Sequence, residues 1–153
     1  MSLQTDFRDL LEAFAAEDVA YLLIEGYAVA FHAEPRFTKD LGLWLEDTTE
    51  NLERVRRALE SFGAPPEVVQ GIADASGLDV VWMGRPPARV DMMKATPGGD
   101  FSDAFGRRVE VQWDGVPVRI VSREDLIALK RASGRPVDLL DVERLERPRE
   151  ARR

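Results

Sequence analysis

Two aspartates in otherwise apolar segments are the residues of this sequence best suited to chemistry. Asp40 opens a segment with strand periodicity, and Asp91 lies inside the apolar segment 89–93. A lone carboxylate within a strand costs free energy unless it lies at the rim, is paired, or holds a metal ion. Two carboxylates on adjacent strands could converge on Mg²⁺, which prefers oxygen ligands and usually keeps substrate phosphates among them. The pattern therefore indicates a carboxylate-bound Mg²⁺ ion.

A glycine at the end of a buried strand is the third candidate. Gly26 follows the continuous apolar run 19–24 and opens a second apolar segment, 27–31, whose alanines favour a helix. A strand-to-helix junction directs backbone N–H groups toward an anion, commonly a phosphate. The sequence thus predicts a phosphate-facing turn at Gly26.

The hydrophobic pattern predicts the elements that position these residues. Alternation over residues 40–46 places three leucines on one strand face, with Asp40, Gly42 and Trp44 on the other. Thr5 is expected to cap a first helix over residues 6–16, and Ser122 a later one. Further helices are expected over residues 26–31, 51–62, 66–75, 123–132 and 137–145, and strands over 19–24, 40–46, 80–83, 88–93, 109–113 and 116–121.

This order predicts a mixed sheet with helices, of the α/β (α+β) class. We expect one domain over residues 1–146, followed by a charged and disordered tail over residues 147–153.

The composition excludes several kinds of site. The 153 residues include no cysteine, so disulfides, thiolate catalysis and Cys-ligated metal sites are excluded. His32 is the single histidine, which disfavours a multi-histidine metal site, and it is expected to be structural. No apolar run approaches the length of a membrane span, so we expect a soluble cytoplasmic protein without a membrane partner.

Charge is unevenly distributed along the chain. The formal net charge is −7, with 16 acidic against 6 basic residues in residues 1–80 and 12 against 15 in residues 81–153. An acidic protein is not expected to coat nucleic acid, since that affinity comes from neutralising phosphates. The basic second half still permits a local phosphate-facing wall.

Taken together, three segments resemble the core of the nucleotidyltransferase superfamily, in its small bacterial AbiEii-like branch. The first, residues 22–44, is similar to a glycine turn followed by a helix, an Arg-x-Thr-x-Asp segment and an Asp-x-Asp strand. The second is Arg89-Val-Asp91, similar to a later strand with a third carboxylate. The third, residues 125–141, looks like the Lys…Arg-x-x-Asp-x-x-Asp element of the branch.

The resemblance implies that carboxylates hold two Mg²⁺ ions, which clamp a nucleoside triphosphate and activate the attacking hydroxyl. A nucleoside monophosphate would pass to an RNA or protein hydroxyl, in a toxin–antitoxin setting. By position, Asp40 and Asp91 would be metal ligands, and Asp40, Asp91 and Lys130 the catalytic residues. Nucleotide or substrate contacts would come from Gly26, Arg36, Thr38, Lys39, Asp138 and Asp141.

Two departures from the family pattern fall at the chemical centre. Gly42 stands where the family has its second aspartate, and Glu25 where it has the first glycine of the turn. Residues i and i+2 of a strand project from one face about 7 Å apart, so Gly42 removes half of a bridging pair. Glu25 would repel a polyphosphate, although it could instead turn inward as a replacement ligand. We therefore expect an impaired active site; the alternative is a non-catalytic module that acts through a protein partner.

Other roles remain open for several candidates. Asp91 could pair with Arg89 or Arg36 instead of binding a metal ion. Lys130 could be a solvated helix residue, and Asp138 and Asp141 could serve only the helix dipole.

Overall fold

A computed structural model describes residues 3–33 and 40–147, and these residues form seven helices and six strands. The helices are α1 (Thr5–Ala16), α2 (Glu25–His32), α3 (Thr49–Phe62), α4 (Pro66–Asp74), α5 (Phe101–Gly106), α6 (Arg123–Ser133) and α7 (Pro136–Glu146). The strands are β1 (Tyr21–Ile24), β2 (Leu41–Leu45), β3 (Val80–Met83), β4 (Val90–Met93), β5 (Val109–Trp113) and β6 (Val116–Ile120).

The six strands form one mixed sheet in the order β3-β4-β2-β1-β6-β5. β2 pairs in parallel with β4 and antiparallel with β1, and β1 pairs in parallel with β6. The remaining pairs, β3 with β4 and β5 with β6, are antiparallel. The predicted mixed α/β architecture is confirmed. The parallel pairing of β2 and β4 matters most, because it brings the segments of Asp40 and Asp91 side by side.

The two faces of the sheet differ in how they are covered. On one face, Leu41, Leu43 and Leu45 are fully buried in the core, and Val81 lies under α4, where it packs against Gly71. The opposite face, named here the cleft face, carries the β2 residues Gly42 and Trp44 and the β4 residue Asp91.

Helices cover only part of the cleft face. Trp44 is 1% exposed, and its ring packs edge-on against Phe101 of α5 at a centroid distance of 5.3 Å. Nearer the edge of the sheet, Val80 and Trp82 of β3 stay 48% and 58% exposed. The cleft face is therefore open around Gly42 and Asp91, and this opening is where a ligand has access.

Helix ends agree with the sequence expectations in one case and depart in another. Ser122 caps α6, since its Oγ accepts a hydrogen bond from the Asp125 N–H at 3.1 Å. The expectation for Thr5 is wrong by one residue, because α1 includes Thr5 and Gln4 takes the cap position without a side-chain bond. Helix α5, which the hydrophobic pattern did not predict, is capped by Asp100. None of the helices in the described ranges has the length and apolar character needed to cross a membrane.

Candidate active site

A cleft of about 750 Å³ opens on the uncovered part of the cleft face. Its acidic lining consists of Glu25, Asp40 and Asp91, and the backbone of Gly26 lies beside them. The remaining lining includes an apolar wall and a polar wall. Leu78, Val80, Met93, Ala95 and Pro97 form the apolar wall, with Thr96 beside them, and Ser133 and Arg135 form the polar wall. The cleft is open and combines apolar surface with a few convergent polar groups, as ligand sites commonly do.

The two aspartates meet across the parallel pair β2 and β4. The Leu41 N–H donates to the carbonyl of Arg89 at 3.0 Å, and Gly42 lies opposite Asp91 in the register. Asp40 is thus one strand across and two residues along from Asp91, a Cα separation of about 8 Å by strand geometry. That separation lets both carboxylates approach one small ligand.

The two carboxylates differ in their partners. Asp91 Oδ1 accepts a hydrogen bond from Arg89 Nε at 2.9 Å, which is one of the alternatives that the sequence left open for Asp91 and which raises the pKa of Arg89. Asp40 Oδ1 is buried and accepts no hydrogen bond from any described residue. A buried carboxylate oxygen without a donor is costly, so it marks a position that a ligand or ion can satisfy.

Glu25 lies at the junction of β1 and α2 in a conformation that favours glycine. Its φ is +67°, in the left-handed region that L-residues with side chains rarely adopt. A glycine at the first position of the turn, as in the family pattern, would take this conformation without strain. Glu25 therefore holds a backbone conformation that glycine would adopt at lower cost.

The side chain of Glu25 runs over Gly42, its neighbour across β1 and β2. A Cβ atom placed on Gly42 would lie 2.6 Å from Cγ and 2.9 Å from Cβ of Glu25. Real Cβ atoms are essentially never this close to another carbon, so the two departures from the family pattern are sterically coupled.

Behind Glu25 lies a buried cluster of charges centred on Lys130. The Nζ atom of Lys130 is 3.1 Å from Asp138, 3.3 Å from Asp141 and 3.4 Å from Glu25 Oε2. Arg135 reaches the same cluster, with its Nε 2.7 Å from Asp138 Oδ2. The side chains of Lys130, Asp138 and Asp141 are 7%, 2% and 5% exposed, whereas Glu25 is 40% exposed. Glu25 is therefore the member of the cluster that also lines the cleft.

The pKa values of Lys130 and Asp138 both shift in favour of their charged forms. Burial lowers the pKa of Lys130, but the negative charges of Glu25, Asp138 and Asp141 outweigh it, so the pKa is raised overall. Burial raises the pKa of Asp138, yet hydrogen bonds from Arg135, Ser133 and Lys130 bring it down to about 2. Lys130 is thus a paired buried cation and not a solvated helix residue, and the two aspartates do more than favour the helix N-terminus.

The structure brings together some of the predicted site residues and separates others. Gly26, Asp40 and Asp91 line the cleft, whereas Lys130 lies behind Glu25 with Asp138 and Asp141. Predicted contacts from Arg36, Thr38 and Lys39 fall outside the described residues.

His32, expected to be structural, is 7% exposed, and its Nε2 donates to the Val121 carbonyl at 2.7 Å.

The sequence reasoning missed two parts of the lining. Ser133, the last residue of α6, and Arg135, just before α7, form the polar wall; Arg135 belongs to the Lys…Arg-x-x-Asp-x-x-Asp element, but neither residue was named as a site residue. The apolar wall was missed as well, although Leu78 and Val80 are large apolar residues that stay exposed near a turn. Leu78, Val80 and Trp82 occur at every second position, and this alternation was the signal in the sequence that could have indicated an apolar wall.

No protein-family model matches the chain, and no curated protein matches its sequence. Solved structures do match. The lincosamide antibiotic adenylyltransferase LnuA, bound to lincomycin, superposes with a TM-score of 0.57 at 16% identity, covering 95% of this chain and 97% of that one. The chain has a nucleotidyltransferase fold.

Two further matches agree with this fold. ANT(2")-Ia, in complex with adenylyl-2"-tobramycin, has a TM-score of 0.57 at 16% identity, over 91% of this chain and 84% of that one. An antigenic nucleotidyltransferase-like protein from Paracoccidioides brasiliensis has a TM-score of 0.50 at 14% identity, over 95% and 78%. At these identities the likeness concerns the nucleotidyltransferase fold alone.

Proposed function

We propose that the protein is a divalent-cation-dependent nucleotidyltransferase that binds a nucleoside triphosphate in the cleft and transfers its nucleoside monophosphate to a hydroxyl group. The observation that carries this proposal is the pairing of β2 with β4, which places Asp40 and Asp91 together on the floor of an open cleft beside Gly26. The solved structures of nucleotidyltransferases with the same fold support it.

The residues present fit one Mg²⁺ ion better than two. The buried Asp40 Oδ1 has no donor among the described residues, and Asp91 offers its second oxygen, so these two carboxylates could hold one ion that phosphates and waters complete. Gly42 supplies no oxygen between them, and no three acidic or histidine side chains of the described residues already converge. When bound, Mg²⁺ would neutralise the phosphates and favour the ionised acceptor hydroxyl.

The other lining residues would orient the two substrates. The N-terminal turn of α2 at Gly26 presents backbone N–H groups to the phosphates, and Arg135 adds positive charge on the polar wall. The apolar wall at Val80 and Met93 would pack against a base or against the acceptor and exclude water. Catalysis would then depend on positioning and charge neutralisation, as in phosphoryl transfer generally.

The acceptor is proposed only as a hydroxyl. The AbiEii-like resemblance favours an RNA or protein hydroxyl, in a toxin–antitoxin setting, whereas the titles of the solved neighbours name lincomycin and an adenylylated tobramycin. A transfer assay with the four labelled nucleoside triphosphates, Mg²⁺ or Mn²⁺, and RNA, protein and small-molecule acceptors tests all three classes.

The matched variants decide whether transfer uses this cleft. Asp40→Asn and Asp91→Asn should each lower the transfer rate by about two orders of magnitude or more, since each removes ionic stabilisation of several kcal/mol. Glu67→Gln, on the far side of the sheet in the exposed part of α4, should leave the rate unchanged. Transfer that is equally fast in all four proteins would overturn the proposal.

A non-catalytic module is the second candidate, and the pairing of Glu25 with Lys130 favours it. Glu25 places a carboxylate at the turn proposed to bind phosphate, and its Oε2 lies 3.4 Å from Nζ of the buried Lys130. Such a protein would bind no nucleotide and would act through a protein partner. Transfer in the assay above would exclude it.

A further inference from the structure

We propose that the apolar wall of the cleft binds the acceptor, and that the acceptor is an uncharged small molecule with a hydroxyl group and an apolar face. This inference rests on the proposed function, because it names the substrate class that would receive the nucleoside monophosphate in this cleft. The hydroxyl oxygen would bond to the α-phosphorus while the bond to the departing pyrophosphate breaks, and the hydroxyl proton would pass to solvent.

The exposure of the wall is the first step of the argument. Leu78 and Val80 line the cleft and are 60% and 48% exposed, and Trp82, which is 58% exposed, continues the same row along β3. Val80 and Trp82 project from one face of the strand because they are two residues apart. Large apolar side chains that stay exposed together commonly mark a binding site, since covering them is favourable.

The register of the sheet places this wall beside the carboxylate of β4. Trp82 lies opposite Asp91, and Val80 opposite Met93, across the pair β3 and β4. Residues directly opposite each other project from the same face, on strands about 5 Å apart. Arg89 joins the two sides, because its guanidinium carbon lies 5.2 Å from the centroid of the Trp82 ring and its Nε donates to Asp91. A molecule that packs against β3 can therefore bring a hydroxyl group to Asp91.

The direction of transfer assigns the wall to the acceptor. Gly26 follows β1, and the strand order β3-β4-β2-β1 places β1 and β3 on opposite sides of Asp91. In phosphoryl transfer the attacking and leaving oxygens lie roughly in line with the phosphorus. With the departing phosphates at the turn of Gly26, the attacking hydroxyl approaches from the side of β3, where the apolar wall lies.

The charge of the cleft disfavours a polyanionic acceptor such as RNA. Among the described lining residues, the carboxylates of Glu25, Asp40 and Asp91 face a single guanidinium, that of Arg135 on the polar wall. The described residues of the apolar wall carry no basic group, so a phosphate placed against them would lose hydration without an ionic partner on the wall. An uncharged acceptor avoids this cost, and a cleft of about 750 Å³ is in the size range of small-molecule sites.

Ligand-observed NMR titrations with three probes test this assignment. The probes are 2-naphthylmethanol, an uncharged alcohol with an apolar face; glucose, a polyol without one; and the dinucleotide uridylyl-uridine, which carries a phosphate. We expect 2-naphthylmethanol to bind at least about tenfold more tightly than either of the others. Leu78→Ser and the isosteric Val80→Thr should each weaken its binding about fivefold. The matched control Leu140→Ser should leave it unchanged, because Leu140 is 57% exposed but does not line the cleft.

A competition experiment separates this inference from the proposed function. The unaltered protein is saturated with Mg²⁺ and the nucleoside triphosphate that it binds most tightly, and is titrated again with 2-naphthylmethanol. Alcohol binding that is unchanged or tighter supports the inference. Displacement of the alcohol would show that the wall holds the base, so the inference would be wrong while the nucleotide site of the proposed function stands.

Three further results bear on the inference. Equal binding of the three probes, or tighter binding of uridylyl-uridine, would overturn it. Equal effects of Leu78→Ser and Leu140→Ser, with both variants folded by circular dichroism, would also overturn it. If no nucleoside triphosphate binds to the unaltered protein, the proposed function fails and the inference fails with it.

Discussion

The side chain of Glu25 occupies the space that a side chain at position 42 would need, with Glu25 Cγ only 2.6 Å from the Cβ position of Gly42. The two residues that depart from the family pattern are thus linked by direct steric contact. Glu25 also lines the cleft, so a ligand bound there meets the side chain that covers Gly42.

The first prediction concerns this steric coupling. Gly42→Ala should lower the free energy of unfolding by about 1–3 kcal/mol, because the new methyl group overlaps the near end of the Glu25 side chain. The same substitution in a Glu25→Gly background should cost much less, since the two closest atoms, Cβ and Cγ of Glu25, are then absent. Urea unfolding of the four proteins of this double-mutant cycle measures the coupling. Additive effects would show that the two positions are independent.

The second prediction concerns the backbone at position 25. Glu25→Gly should be more stable than Glu25→Ala by about 1 kcal/mol, because alanine keeps the penalty of a φ of +67° and glycine does not. Both variants remove the carboxylate, so the loss of the Lys130 contact cancels in the comparison. Chemical denaturation of the two variants gives the difference directly. Equal stability would mean that the turn relaxes to another conformation.

The third prediction concerns the buried cluster. Lys130→Met should lower the free energy of unfolding by about 3–5 kcal/mol, since it removes the buried cation that Asp138 and Asp141 share. The neighbouring Arg131→Met is the matched control: its ion pair with Glu146 is half-exposed, so the loss should stay below about 1 kcal/mol. Similar losses in the two variants, measured by urea unfolding, would contradict a structural role for the cluster.

The fourth prediction concerns acid stability. The pKa of Asp138 is about 2 in the folded protein, against about 3.9 for an unperturbed aspartate. Its contribution is therefore fully present above about pH 4 and is lost as the pH falls toward about 2. Asp138→Asn should flatten the dependence of unfolding free energy on pH within that window. An unchanged slope, measured by denaturant titrations at several pH values, would show that Asp138 is not held ionised.

The sequence predicted most of the fold because its elements carry strong local signals. Alternation in β2 and helical spacing in α1 and α3 follow directly from which face is buried. The same alternation correctly placed Asp40 and Gly42 on the face opposite the core leucines. Helix α5 was missed because six residues are too few to show a helical period.

The site could be predicted only in part, because its decisive contacts join distant segments. Glu25 and Lys130 are 105 residues apart in the chain, and no local pattern shows that their charges meet. The contact between Glu25 and Gly42 depends on a side-chain path across two strands, which spacing alone does not determine. Each departure was visible in the sequence, but only the structure shows that they belong together.

Calorimetric titration of the four nucleoside triphosphates with Mg²⁺ tests the central claim most directly. The account predicts that the unaltered protein binds at least one of them and that Asp40→Asn loses this binding, while Glu67→Gln keeps it. If none of the four binds to the unaltered protein but one binds to Glu25→Gly/Gly42→Asp, the cleft is an intact scaffold whose chemistry has been lost, which would contradict the account.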